Sequence, residues 1–130
     1  IKWKHLGEKV NWVYPAIHNF KIIKKEKSVY IVESIGDMLS LWQAGVKNTI
    51  VTFGLTLSPK IVSFLIKMDP DKIYLSFNND SYGNYAGNRA AKKALNKLSV
   101  FFDPEDIEIK LPSKNDFGEM TKEEILKWVK

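Results

Sequence analysis

Glu33 closes an otherwise apolar stretch, Val29-Tyr30-Ile31-Val32, and Asp37 follows four residues later. A carboxylate at the end of a buried strand has no local capping duty, so its presence asks for a chemical reason. Asn78-Asn79-Asp80 follows a second apolar stretch, Ile73 to Phe77, and Asp116 and Glu119 follow a third, Ile107 to Leu111. Like charges gathered at one edge cost free energy unless a cation neutralises them. Hard oxygen donors without His or Cys suit Mg²⁺ or Mn²⁺. The same residues also read as helix caps, with Asp80 and Asp116 in that role. Spacing alone leaves both readings open.

The elements that must position these residues follow from periodicity. Val29–Val32, Thr49–Thr52 and Ile73–Phe77 are short β-branched and aromatic runs of the kind buried in a parallel sheet, whereas Ile107–Leu111 alternates as an edge strand with one wet face would. Met38, Leu41 and Trp42 have helical spacing, with Gly45 as a helix stop. Ser58-Pro59 is an N-cap followed by proline at the first helical position. A further helix runs from about Tyr85 with Ala90, Ala91, Ala94, Leu95 and Leu98 inward, and Thr121-Lys122-Glu123-Glu124 is a capping box opening the last one. Strands alternating with helices predict an α/β domain with a mostly parallel four-stranded sheet flanked by helices. Ligands of such sheets bind beyond the carboxyl ends of the strands, where the acidic residues lie.

Residues 1–28 stand apart as a basic, aromatic segment without a clean period: Lys2, Lys4, Lys9, Lys21, Lys24, Lys25 and Lys27 face only Glu8 and Glu26. This segment is expected to be the end of an upstream subdomain, with residues 29–130 forming the α/β domain. The chain has 130 residues, 20 Lys and Arg against 15 Asp and Glu, and a formal charge of +5, a mild bias toward polyanions. Hydrophobic residues at 45% and charged residues at 27% exclude wholesale disorder. Apolar runs stay far below the roughly 20 residues that cross a bilayer, so no membrane role is expected. With no cysteine and two histidines, disulfide frameworks, thiol catalysis and zinc ribbons are excluded within this chain.

Glu33-Ser34-Ile35-Gly36-Asp37 followed by Ala44-Gly45-Val46-Lys47-Asn48, then Phe77-Asn78-Asn79-Asp80-Ser81-Tyr82-Gly83 with Ala86 and Arg89, resembles the two defining motifs of the toprim domain. Lys114-Asn115-Asp116-Phe117-Gly118-Glu119 after Leu111-Pro112 is similar to the residues that close this Rossmann-like domain in bacterial and phage-type DNA primases. The resemblance covers about Val29 to Lys130. One position departs from it, since the family has aspartate where this chain has Asn78, one negative charge fewer for a divalent ion.

What the resemblance implies is the catalytic toprim domain of a primase, making RNA primers on a single-stranded DNA template from ribonucleotides. It further implies Mg²⁺ or Mn²⁺ as cofactor, a replicative helicase as partner, and the cytoplasm of a bacterial or phage-infected cell. By the same resemblance Glu33, Asp37 and Asp80 are the catalytic residues, and Glu33, Asn78, Asp80 and Asp116 the metal-holding ones. Arg89 and Lys114, with Trp12, Lys24 and Lys25 of the basic segment, are candidates for phosphate and nucleic-acid contact; Arg89 equally suits a pairing with Asp80 or Glu119, and Trp12 a place in a core. Two alternatives remain: a toprim nuclease, and a non-catalytic nucleic-acid-binding module of the same fold. Phosphoacceptor receiver domains and aspartate-nucleophile phosphatases are excluded, because the acidic pair or leading aspartate they need is missing.

Overall fold

The computed structural model describes residues 13–79 and 85–130. Helix α1 (Ala16–Glu26) leads into β1 (Ser28–Val32), followed by α2 (Ile35–Gln43), β2 (Thr49–Val51), α3 (Pro59–Met68), β3 (Lys72–Leu75), α4 (Ala86–Leu98), β4 (Ile107–Ile109) and α5 (Lys122–Val129), with short 3-10 turns at Pro104–Asp106 and Phe117–Glu119. The four strands form one parallel sheet in the order β2-β1-β3-β4. The central strand β1 buries four consecutive residues, Val29 to Val32, which is why its sequence runs apolar without alternation.

Each sheet face carries its own core. On one, Val29, Ile31, Ile73 and Leu75 meet Ile23 of α1, Ile61 and Leu65 of α3, and Ala91 and Leu98 of α4. On the other, Tyr30, Val32 and Val51 meet Met38 and Leu41 of α2, Phe117, and Ile125 of α5. Among the described residues no helix is long and apolar enough to cross a membrane.

Local chemistry sets the element ends. Ser58 accepts the Ile61 N–H at 3.2 Å to cap α3, and Thr121 and Glu124 close the reciprocal capping box of α5. Gly45 lies at φ +90° just after α2, a conformation that suits glycine. Three strands are shorter than the apolar runs that announced them. Ser76 and Lys110 still donate backbone bonds to Ile31 and Leu75 beyond the regular ladders. At the sheet edge Ile107 is buried while Glu108 and Ile109 are both exposed, so the expected alternation lasts only one step.

The basic segment holds a helix that its irregular sequence does not announce. α1 is fastened to the sheet by Ile23, 1% exposed, and by buried Asn19, whose side-chain amide donates to the Thr49 carbonyl. Its Phe20 ring meets Phe64 of α3 at 4.8 Å. Through Ile23 this helix shares the core of the α/β unit.

Candidate functional site

β1 and β3 are hydrogen-bonded neighbours with Ile31 opposite Leu75. Two residues further along each strand, Glu33 faces the start of the Asn78 loop, and its Oε2 accepts the Asn78 backbone N–H at 3.2 Å. Asn78 in turn buries its side-chain carbonyl oxygen, Oδ1, without a hydrogen-bond partner among the described residues. A buried acceptor left unmatched costs roughly 1–3 kcal/mol, a cost that a bound cation would relieve.

The loop after β3 is also bound to the loop after β4. Asn79 donates its backbone N–H to Asn115 O at 2.8 Å and its side-chain amide to Pro112 O at 3.1 Å. Asp116, directly after Asn115, caps the 3-10 turn by accepting the Glu119 N–H at 3.0 Å. The capping reading is therefore what the geometry shows for this residue.

Asp37 sits between these loops. It is 5% exposed; its Oδ2 accepts from Ser34 Oγ at 2.9 Å and its Oδ1 from the Phe117 N–H at 3.2 Å. Burial pushes its carboxyl above the ordinary range and Asp116 adds to the rise, while the Ser34 hydroxyl and the Phe117 N–H pull the other way. With both oxygens turned to protein donors, Asp37 ties the Phe117 turn to the start of α2 and so sets Asp116 beside it.

The carboxyl edge thus gathers Glu33 with Asn78, and Asp37 with Asp116, from the loops after β1, β3 and β4 and the first turn of α2. Asp80 and Trp12 lie outside the described residues. Among the described residues no three His, Cys, Asp or Glu side chains form a metal-holding group. Lys114 is turned to Glu124, 3.0 Å away, where it joins the cap of α5. Arg89 is in the first turn of α4. Lys24 and Lys25 stand at the last turn of α1, and Lys25 lines a hollow with Ser28, Lys47 and Asn48 at the amino ends of β1 and β2. They are a strand length of roughly 16 Å from the carboxylates and do not join them.

Two contributors escaped the reading of the sequence. Ser34 was visible in principle, since Ser34-x-x-Asp37 has the spacing of an N-cap pair. Asn79 gave no signal, because its partners are backbone carbonyls 33 and 36 residues away in sequence.

This arrangement can be set against known proteins. The Toprim-like family model matches residues 30–121. The chain belongs to the toprim-like family. Over 69 residues, 53% of the chain, this toprim-like domain is 41% identical to a DNA primase of Helicobacter pylori, of which it spans 12%. It is 34% identical over 95 residues to the uncharacterized protein MG010 of Mycoplasma genitalium, covering 73% of the chain and 42% of that protein. The chain thus spans less than half the length of either relative.

Its fold is that of the RNA polymerase domain of Mycobacterium tuberculosis primase, with TM-score 0.72 at 16% identity over 98% of this chain and 43% of that one. A primase catalytic domain bound to single-stranded DNA aligns with TM-score 0.68 at 17% identity, over 95% and 39% of the two chains. In the toprim-like domain the sheet order that makes Glu33 and Asn78 neighbours is therefore part of a shared architecture. The donors present at its edge are all oxygens, which fits a hard divalent cation.

Proposed function

We propose that this toprim-like domain is the catalytic part of a DNA primase, a template-directed polymerase that joins ribonucleotides on single-stranded DNA. The observation that carries the proposal is the pairing of Glu33 with Asn78 across β1 and β3, with the Asn78 side-chain carbonyl oxygen buried and unpartnered among the described residues. Similarity to bacterial DNA primases favours polymerisation over cleavage as the reaction.

Glu33, Asn78 and Asp80 would hold Mg²⁺ or Mn²⁺, with Asp116 reaching the same edge from the loop after β4. When bound, such an ion would supply neutralisation of the charge on the phosphate oxygens during nucleotidyl transfer. The domain's own contribution is positional. Glu33 fixes the Asn78 loop through its backbone N–H, Asp37 fixes the Phe117 turn, and Asn79 joins the loops after β3 and β4. Asp37 is a positioning residue in this scheme. We place the protein at the bacterial replication fork in the cytoplasm, with single-stranded DNA, ribonucleotides and a replicative helicase as partners.

The test is ribonucleotide incorporation on single-stranded DNA by the full-length protein and its Glu33→Gln variant. Incorporation that needs Mg²⁺ or Mn²⁺ and falls at least about 100-fold in the variant is the expected result. Divalent-dependent cleavage of the DNA without incorporation would make the domain a nuclease. Neither activity, with DNA binding intact, would make it a binding module.

A further inference from the structure

We propose that one side of α4, together with the loop between β2 and α3, is a track for the backbone of a single nucleic-acid strand leading away from the carboxylate edge. This deepens the function proposed above and rests on it only for the ligand being a nucleic-acid strand. The track itself is read from charge and shape.

Arg89, Lys93 and Lys97 recur every four residues along α4, each step rising about 6 Å with a small drift around the axis. They therefore form one ridge about 12 Å long. The helix has no acidic residue between Ala86 and Leu98, so the positive charge is not offset along it. Arg89–Lys93 and Lys93–Lys97 are like-charge pairs at the spacing where such pairs weaken a helix. Arg89 also lies in the first turn, where the helix dipole disfavours a cation. The ion pairs among the described residues, Lys72–Glu108 and Lys114–Glu124, involve none of these cations. Such an arrangement costs helix stability, and a polyanion laid along the ridge would offset the cost.

A furrow runs beside the ridge. A hollow of about 290 Å³ is bounded by residues 52–59 and Lys97, and one of about 220 Å³ by Leu55, Thr56, Arg89, Ala90 and Lys93. Leu55 and Thr56 border both, so the two hollows adjoin. Leu55 is 44% exposed there, an apolar surface facing the cationic row. Lys97 donates to the Leu57 carbonyl at 2.8 Å and so holds the loop against the helix. The loop leaves the carboxyl end of β2, next to β1, so the furrow opens on the same sheet edge as Glu33. Cations on one wall and an apolar surface on the other match phosphates on one side of a strand and sugars or bases on the other.

The experiment is fluorescence anisotropy of a 5′-labelled single-stranded oligothymidylate with the 130-residue chain, in EDTA and across a salt series. Arg89→Gln/Lys93→Gln removes two ridge charges and spares the Lys97 brace. Lys122→Gln/Lys127→Gln removes two exposed charges from α5 on the other face of the sheet. The ridge variant should bind roughly tenfold more weakly, with the salt slope lower by about 1.4, two phosphate contacts at 0.7 each, while the α5 variant stays near wild type. Equal losses in both variants, or none in the ridge variant, overturn the track. Displacement of the oligonucleotide by excess ATP, with the same dependence on Arg89 and Lys93, would assign the furrow to a nucleoside triphosphate and overturn the strand. Binding in EDTA requires no catalysis, so a failure of ribonucleotide incorporation leaves this result standing.

Discussion

At the scale of single residues, Asp37 separates what a residue type suggests from what its surroundings allow. Its spacing from Glu33 marks it for metal chemistry, yet its two oxygens accept from Ser34 and the Phe117 N–H, a partner 80 residues away that nothing in the local sequence announces. Glu33 was legible because an acid at the end of an apolar run conflicts with burial, whereas the tie made by Asp37 exists only once the chain is folded. A prediction follows from its raised pKa. A carboxyl whose folded pKa lies above its ordinary value of 3.8 contributes stability that is fully present below the unfolded value and is lost as pH rises through the folded one. In the Asp37→Asn variant the amide carbonyl can still accept the Phe117 N–H without that loss. Relative to wild type, Asp37→Asn should therefore gain stability from pH 4 to pH 8, measured as the difference in urea midpoints. Asp37→Ala, which strands the Phe117 N–H, should cost about 1–3 kcal/mol at either pH. A difference between Asp37→Asn and wild type that does not change with pH would show that burial does not raise this carboxyl.

At the scale of elements, caps and breakers were the readable signals and packing was the unreadable one. Ser58-Pro59 and Thr121–Glu124 set helix starts through bonds spanning three residues, so local sequence suffices. Helix α1 has a lysine-rich, irregular sequence and is held by contacts to Thr49 and Phe64, which no local window contains. α4 was legible from its alanines, and its start was expected at about Tyr85, which stands at φ 59° immediately before the helix. Gly45 offers a clean test of the stop signal. An added Cβ would meet no neighbouring atom within 4 Å, so steric contact plays no part, while φ +90° is unfavourable for any side chain. Gly45→Ala should lower stability by about 1–2 kcal/mol through backbone strain alone, read from chemical denaturation with an unchanged m-value. An unchanged midpoint would show that the turn relaxes to a negative φ and that glycine is dispensable as the stop.

At the scale of the molecule, the parallel order β2-β1-β3-β4 brings together loops that are distant in sequence, and the loops after β1, β3 and β4 are tied to one another across the carboxyl edge. An ion held by these loops would bind the folded chain and not the unfolded one, because the donors come from Glu33, from Asn78 and Asp80, and from Asp116. Binding of that kind is a stability effect of size RT ln(1 + [L]/Kd), about 2.7 kcal/mol when the ion is at about a hundred times its Kd. For a domain of this size that corresponds to a rise in Tm of roughly 8 °C. Mn²⁺ should therefore raise the unfolding temperature of wild type. Asn78→Asp, which adds a carboxylate at this position, should bind Mn²⁺ at least about tenfold more tightly and show a larger rise at the same concentration, because a unit charge at about 4 Å is worth on the order of 4 kcal/mol before desolvation reduces it. Glu33→Gln should show little or no rise. Its stability without metal separates the two roles of Glu33: the amide carbonyl introduced by Glu33→Gln can still accept the Asn78 N–H, so loss of the Mn²⁺ response with an unchanged metal-free Tm isolates charge from structure. Identical, negligible shifts in all three proteins would mean that Asn78 and Glu33 shape a turn and hold no ion, and the domain would then be read as a nucleic-acid-binding module.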